Sequence, residues 1–366
     1  FGINETGHLG FIVADGKEFD AVISEIPLQR HIWYFIGASY DASTGRATLH
    51  QMGVVNRYNS LWGKVTPMDY DSHVSETLRF KPKHAPDISF LVGGTWDFHA
   101  NRGKFVNELY SGKVDRPGVV SRALSREEFD HICSGGKPPK NDILAYWDTT
   151  VGYTDTGIGD TVTDTGPHGL HAIGVNKPVR AQTGWNWNGR NDCFRLAPEE
   201  YGGIEFHDDA IIDCGWDVTH RLTIPDNLKS GVYAIRLRAG EGTGLGEEYI
   251  VFFIRAKTPR APIALLIPTA SYLAYANDHL TFDAQMAQPI VGQTPIVSDI
   301  DIEVYQSPEF GLSTYDHHQD GAGVCYSSYR RPIVSLHPKY RNPMNGVTWQ
   351  FPADLSIVAW LEHCNY

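Results

Sequence analysis

The sequence has few cysteines. Five occur in 366 residues: Cys133, Cys193, Cys214, Cys325 and Cys364. They form no C-x-x-C pair and are odd in number, so a disulfide framework is not expected and a reducing, cytoplasmic compartment is. Basic residues are also scarce. Lys and Arg total 31 against 43 Asp and Glu, for a formal charge of −12. Phosphate binding needs clustered bases, so no nucleic-acid partner is expected. Long apolar runs are missing: YIVFF and IALLIP are among the longest, far short of the roughly 20 residues that span a bilayer, and no membrane partner is expected. There is no G-x-S-x-G elbow, no H-E-x-x-H pair and no P-loop, which removes the simplest hydrolase and nucleotide signatures. A charged-then-apolar leader is also lacking at Phe1, and FPADLSIVAWLEHCNY reads as a helix running into Tyr366. Both ends are therefore expected to be cuts within a longer protein.

What is present favours turn-rich β structure: 36 Gly, 21 Pro, and 9 Trp, 18 Tyr and 16 Phe. Apolar residues make up 42% and charged ones 20%, enough to bury real cores, and the length suits two or three domains. HLGFIVADGKEFDAVIS predicts two strands joined across an Asp-Gly turn. HIWYFIGASYDASTGRATLHQMG predicts a long hairpin turning at Asp41–Gly45. ISFLVGG and DILAYWDTT continue the strand pattern, and Ser125 with Glu128 predicts a capped helix start. Residues 149 to about 195 read as long loops in which TDTG occurs twice, with Trp185 and Trp187 as anchors. WDVTHRLTIPDNLKSGVYAIRLRAG and EEYIVFFI predict a strand pair. The Gly-rich GEGTGLG between them joins strands and opens no helix, which disfavours a phosphate loop. IALLIPT predicts a strand buried on both faces of a parallel sheet, SYLAYANDH a loop after it, and PADLSIVAWLEHC a helix with Leu355, Val358, Ala359 and Leu361 on one face. The expected organisation is a β-sandwich with long loops over 1–195, a β-rich linking domain over 196–257, and the first part of an α/β domain over 258–366.

Candidate chemistry is sparse. His317-His318 and His207-Asp208-Asp209 could bind a metal but read as solvated loop polarity. Cys325 reads as a neutral buried thiol rather than a nucleophile. Tyr272, Tyr275, Tyr315, Tyr326 and Tyr329 cluster in the segments after the apolar strand, where open α/β sheets place ligand sites. Taken one by one, their position reads as packing.

Several longer stretches carry a resemblance. SYLAYAND, GLSTYDHHQDG, YSSYRRPI and FPADLSIVAWL, in that order, with IWYFIGASYD, VVNRYNSLWG, YSGKVDRP, TGWNWNG and LKSGVYAIRLRAGEGTGLGEEYIVFFI upstream, resemble the N,N-dimethylformamidase family, in its large, catalytic subunit. Residues 1–148 separately resemble part of a laminin-G/concanavalin-like sandwich. The family resemblance implies a metal-dependent amidase that cleaves dimethylformamide to formate and dimethylamine at a mononuclear, non-haem iron, expected as Fe(III). It implies that two of the iron's ligands are tyrosines matching Tyr275 and Tyr315, with a third, a glutamate, beyond Tyr366 together with the proton-transfer groups. Asp316, His317 and His318 adjoin a proposed ligand and are weak candidates for the surrounding shell. A phenol binds only if the metal displaces its proton, near pKa 10, which a hard trivalent ion does better than a softer divalent one. Such an ion would polarise the formyl oxygen as a Lewis acid.

The same resemblance implies a small companion subunit and a higher oligomer of large–small pairs. Two other readings stand beside it. One is a non-catalytic carbohydrate- or protein-binding sandwich using Trp62 and Trp96. The other is a cysteine-nucleophile hydrolase using Cys325.

Overall fold

A computed structural model describes residues 1–14, 17–56, 70–82, 88–100, 103–240, 246–258, 261–283 and 287–366. The chain divides into two compact units, Phe1–Phe206 and His207–Tyr366. It is β-rich, with several antiparallel sheets and few helices.

In the first unit, β1 (Gly2–Ile3), β2 (Leu9–Ala14) and β3 (Phe19–Ile23) form one antiparallel sheet. A second contains β4 (Tyr34–Asp41), β5 (Arg46–Gly53) and β6 (Ser72–Thr77). Alternation puts Leu9, Val13 and Val22 from the first sheet and Ala47 and Leu49 from the second into one core with Leu78. Two sheets sharing one apolar interior are consistent with a β-sandwich. The β4–β5 turn forms where the sequence places it. Asp41 Oδ1 accepts from the Ser43 amide at 2.9 Å, and Gly45 takes φ +71°, a left-handed conformation that glycine adopts without a Cβ penalty. The Asp15-Gly16 turn, Trp62 and the Gly-rich turn at 241–245 lie outside the described residues.

The chain continues through the pair β7 (Thr95–His99) and β8 (Gly103–Asn107), then β9 (Gly112–Val114) and β10 (Gly118–Val120), to α1 (Arg126–Cys133) and β11 (Ile143–Tyr146). The cap is as expected: the Glu128 amide donates to Ser125 Oγ at 3.3 Å and the Ser125 amide to Glu128 Oε2 at 2.8 Å. ISFLVGG is not a strand; Phe90 instead stacks on Trp147 at 5.2 Å. The loop region contains four two-residue strands: β12 (Tyr153–Thr154), β13 (Gly157–Ile158), β14 (Thr161–Val162) and β15 (Ala172–Ile173). Asp164, of the second TDTG, organises it by accepting from the amides of Tyr146, Gly166 and Leu170 at 2.7–2.8 Å. The unit closes with β16 (Val179–Gln182) and β17 (Gly203–Phe206), the latter pairing with β9.

One histidine pair gives this unit a pH response. Cross-strand neighbours His50 and His73 meet Nδ1 to Nδ1 at 2.8 Å, and Phe129 of α1 lies over the His50 ring at 3.9 Å. Burial, then the nearby His73 and Arg126 charges, pushes His50 from 6.5 to about 4. The unfolded chain then binds more protons than the folded one between those values, so stability is full above pH 6.5 and falls as pH drops through 4. We expect denaturant unfolding to show a loss of up to about 2 kcal/mol between pH 7 and 4.5 from this group. The variant His50→Gln should lose most of that slope.

In the second unit, β18 (Gly231–Ala239) and β19 (Gly246–Ile254) form a nine-residue antiparallel ladder. The next segment departs from expectation. IALLIPT is not a strand, and Ile263, Leu265 and Leu266 are exposed. A wholly apolar run becomes a buried strand only where neighbouring strands pair with it, and no strand does so among the described residues. SYLAYANDH, expected as a loop, starts within a helix, α2 (Thr269–Ala274). Short helices α3 (Leu280–Asp283), α4 (Ala287–Val291) and α5 (Asp299–Gln306) follow. The last element, α6 (Phe351–His363), is the expected helix. Leu355, Val358 and Leu361 are half-buried along it, whereas Ala359 is exposed.

Candidate functional site

The tyrosines of the second unit separate into three environments. Tyr272 is packing: it is 2% exposed, donates its hydroxyl to Asp354 of α6 and meets Phe351 edge-on at 6.0 Å. Tyr326 and Tyr329 are exposed. Tyr275 and Tyr315 come together, their rings stacked with centroids 3.9 Å apart and planes 15° apart. Trp349 closes against Tyr275 edge-on at 4.7 Å.

This pairing is built by backbone. Tyr275 ends α2, and two residues later Asn277 turns the chain at φ +59°, a left-handed position that asparagine tolerates better than most residues. The buried Asn277 amide donates to the Pro332 carbonyl at 2.8 Å and accepts from the Val334 amide at 3.0 Å. The loop carrying Tyr315 is tied to the end of α2 by the Thr314 amide and hydroxyl, both donating to the Ala274 carbonyl at 3.0 Å. Asp316 is 6% exposed and uses both carboxylate oxygens on backbone, accepting from the His279 amide at 2.9 Å and the Ser313 amide at 2.8 Å. It shapes the loop.

Arg331 lies under both loops. It is 9% exposed and makes five hydrogen bonds: Nε to the Ser328 carbonyl, Nη1 to the Phe310 and Leu312 carbonyls, Nη2 to the Ala276 carbonyl and Ser327 Oγ. The rigid guanidinium fork therefore fixes the residue after Tyr275 and the start of the Tyr315 loop from one point. Desolvation lowers its pKa, opposed by nearby Cys214 and Asp316.

The phenols have their own electrostatics. Donating its hydroxyl to the neighbouring Tyr315, then burial, pushes the Tyr275 phenol above its ordinary value. Left to itself, the Tyr275 hydroxyl keeps its proton in that bond. Only a strongly charged cation would take the phenols' protons.

The histidine clusters, expected as solvated loop polarity, are in part buried. His207 and His318 are 9% and 6% exposed and stack at 3.6 Å with planes 8° apart. His318 Nδ1 meets Asp209 Oδ1 at 2.5 Å, and His207 Nε2 lies 3.4 Å from Asp320. Burial opposes ionisation of Asp209, but the His318 hydrogen bond and charge hold its carboxyl below the usual range. His317 and Asp208 are exposed. The expected buried thiol at position 325 is also corrected. Cys325 is exposed, with Sγ 3.6 Å from the Gly323 carbonyl, because its loop runs along the surface. None of the five cysteines is in a disulfide. Trp96 of the binding-module reading is half-buried, its indole nitrogen donating to the Ser89 carbonyl at 2.8 Å and Lys104 standing 4.0 Å over its ring.

Sequence reasoning missed Arg331, Asn277 and Trp349, and it named His207, Asp209 and His318 without bringing them together. The cue that could have raised Arg331 is its setting in YSSYRRPI, a charged pair inside an otherwise polar-aromatic stretch.

Residues 179–366, which contain the tyrosine pair, match the family described as N,N-dimethylformamidase beta subunit-like, C-terminal. The chain belongs to that family. It is 39% identical over 366 residues to the N,N-dimethylformamidase beta subunit of Paracoccus aminophilus, covering 98% of this chain and 47% of that protein. It is 38% identical over 365 residues to the N,N-dimethylformamidase beta subunit of an Alcaligenes species, again covering 98% and 47%. The chain thus spans about half the length of the curated relatives it matches. The sequence resemblance placed these motifs in a large, catalytic subunit; the dimethylformamidase relatives are named beta subunits, and that label replaces it. Among the described residues no helix is long and apolar enough to cross a membrane.

Proposed function

We propose that this chain is part of an N,N-dimethylformamidase-type amidohydrolase, and that Tyr275 and Tyr315 hold a mononuclear iron at which small N-alkyl formamides are split into formate and amine. The observation that carries this reading is the stacked, hydrogen-bonded pair of phenols. The likeness to named dimethylformamidase beta subunits supports it.

The donor set fits such an ion. Two phenolates with a carboxylate would supply three negative charges, which suits a hard trivalent metal and leaves the occupied site near neutral. When bound, iron supplies Lewis-acid polarisation of an amide oxygen. This chain's residues supply the placement. Arg331 and Thr314 hold the two phenol-bearing loops at a fixed spacing. Trp349 and the two phenol rings give a largely apolar wall, suited to a substrate with two N-methyl groups. His318, kept in one orientation by Asp209, is the best-oriented proton carrier within two or three residues of a proposed ligand, and His317 beside it is exposed. The third metal ligand and the proton donor to the departing amine belong to the longer protein.

The assembly belongs to the proposal too: a companion subunit, with large–small pairs joined into a higher oligomer. So do a laminin-G-like character for the sandwich and an α/β character for the region after 258. The test is turnover of dimethylformamide by the full-length assembly before and after chelation. Formate release should stop when the metal is stripped and return with iron. Undiminished release from stripped, metal-free protein would refute the reading. The cysteine alternative makes the opposite forecast for Cys325→Ala. We expect that variant to keep its formate release within about two-fold of the parent, since an exposed thiol outside the phenol pair has no step to perform.

A further inference from the structure

Beyond the tyrosine pair, a cavity of about 20 Å³ is lined by Asp278, Asp301, Ser335 and Tyr340, with Phe282 and Val304 among its apolar walls. That volume suits one atom-sized guest. Two independent features describe the guest. The first is Ser335, 4% exposed, whose buried Oγ has no hydrogen-bond partner in the protein. An orphaned buried hydroxyl is costly unless something in the cavity meets it.

The second is charge. Asp278 and Asp301 both line the cavity, and among the described residues no Lys or Arg does. Burial, with Asp278 and Asp301 adding to it, raises the Tyr340 phenol, which stays a neutral oxygen donor. The neighbouring acids have protein partners of their own. Asp316 uses both oxygens on backbone amides. Asp301 Oδ2 accepts from the Ser298 amide at 2.8 Å and the Ser298 hydroxyl at 2.6 Å, as a helix cap. Asp301 also lines the cavity. A water would meet the Ser335 hydroxyl and leave the acidic surplus as it is; a cation meets both.

We propose that this cavity binds one oxygen-seeking divalent cation of the Ca²⁺ type, held by the Asp278 and Asp301 carboxylates with the Ser335 and Tyr340 hydroxyls as neutral donors. Hard cations with flexible, all-oxygen coordination match this donor set. The ion would cross-link three segments: α5 through Asp301, the 334–340 stretch through Ser335 and Tyr340, and the turn after Tyr275 through Asp278, whose amide donates to the Tyr275 carbonyl at 3.3 Å. It would thereby stiffen the floor of the tyrosine pair. The inference stands on its own residues and does not require that the tyrosines carry iron.

Calorimetric titration of the full-length protein with Ca²⁺ tests it. The expected result is one Ca²⁺ per chain and a raised thermal midpoint, with affinity falling at least ~10-fold in Asp278→Asn, since charge count sets affinity at such sites. Ser335→Ala should weaken binding by a smaller factor, and it decides the matter if Asp278→Asn fails to fold. A crystal grown with Ca²⁺ should show an anomalous peak in the cavity with oxygens at roughly 2.3–2.6 Å. No binding, binding unchanged in both variants, or a water alone at that position would overturn the proposal. Tyr315→Phe should leave Ca²⁺ affinity untouched whatever it does to iron content, so the two readings fail separately.

Discussion

Replacing either Tyr275 or Tyr315 with phenylalanine is expected to remove iron retention and amide turnover together while the fold survives. The change deletes one oxygen and keeps the ring, so the 3.9 Å stack and the edge-on contact of Trp349 with Tyr275 can persist. Stability should therefore change by no more than about 1 kcal/mol. It should rise slightly if anything for Tyr275→Phe, since a half-buried hydroxyl that shares its bond with another phenol is removed. The effect on metal is of another order. Loss of a group that merely orients a ligand typically costs 10–100-fold in metal affinity or activity, and loss of a ligand should exceed that. The measurements are iron per chain after desalting and formate released from dimethylformamide. A variant that keeps full iron content would remove that tyrosine from the site. A variant that loses both signals only because it unfolds would show itself in the unfolding curve.

The second large effect is expected at Arg331. Its five hydrogen bonds reach the residue after Tyr275, the start of the Tyr315 loop and residues 327–328. Arg331→Met leaves those buried acceptors without donors, and Arg331→Lys keeps the charge but loses the planar fork. Leaving a buried acceptor unpaired costs about 1–3 kcal/mol, so Arg331→Met should lower the urea midpoint sharply, with Arg331→Lys intermediate. The neighbouring Arg330 is the control. It is exposed, paired with exposed Asp213 at 3.1 Å and 6.0 Å from the exposed Tyr329 ring, an arrangement worth about 0–1 kcal/mol, so Arg330→Met should be nearly silent. Equal losses at the two arginines would mean that Arg331 does not clamp the loops.

These two effects mark how far the sequence alone carries. Local chemistry was readable. The Asp41–Gly45 turn and the Ser125–Glu128 box form where side-chain hydrogen bonding places them, because both depend on residues within four positions of each other. The hairpin of β18 and β19 and the helix α6 follow from period and length in the same way. The failures share a cause as well. IALLIPT has the composition of a buried strand, but composition cannot supply the neighbours that bury it, and Leu266 is 92% exposed. The helix α2 was hidden by its own shortness, six residues after a proline. Cys325 was judged by residue type, and the loop geometry decided otherwise.

The candidate site divides along the same line. Tyr275 and Tyr315 were reached through motif resemblance, and their stacking is a tertiary fact that no spacing rule contains. The pairing of Asp209 with His318 joins residues 109 apart, and the arginine beneath the tyrosines differs from the one beside it only in what surrounds it. Buried polar groups are the hardest class to read from a sequence, because a residue type that is usually exposed reveals its burial only through its partners.

The central claim is that two phenolate oxygens of this chain grip one ferric ion. Visible absorption of the iron-loaded, full-length protein addresses it directly. A tyrosinate-to-iron charge-transfer band should colour the protein, and should weaken or vanish in Tyr275→Phe and in Tyr315→Phe. A colourless protein that retains iron and full turnover, or a band unchanged in both variants, would contradict the account.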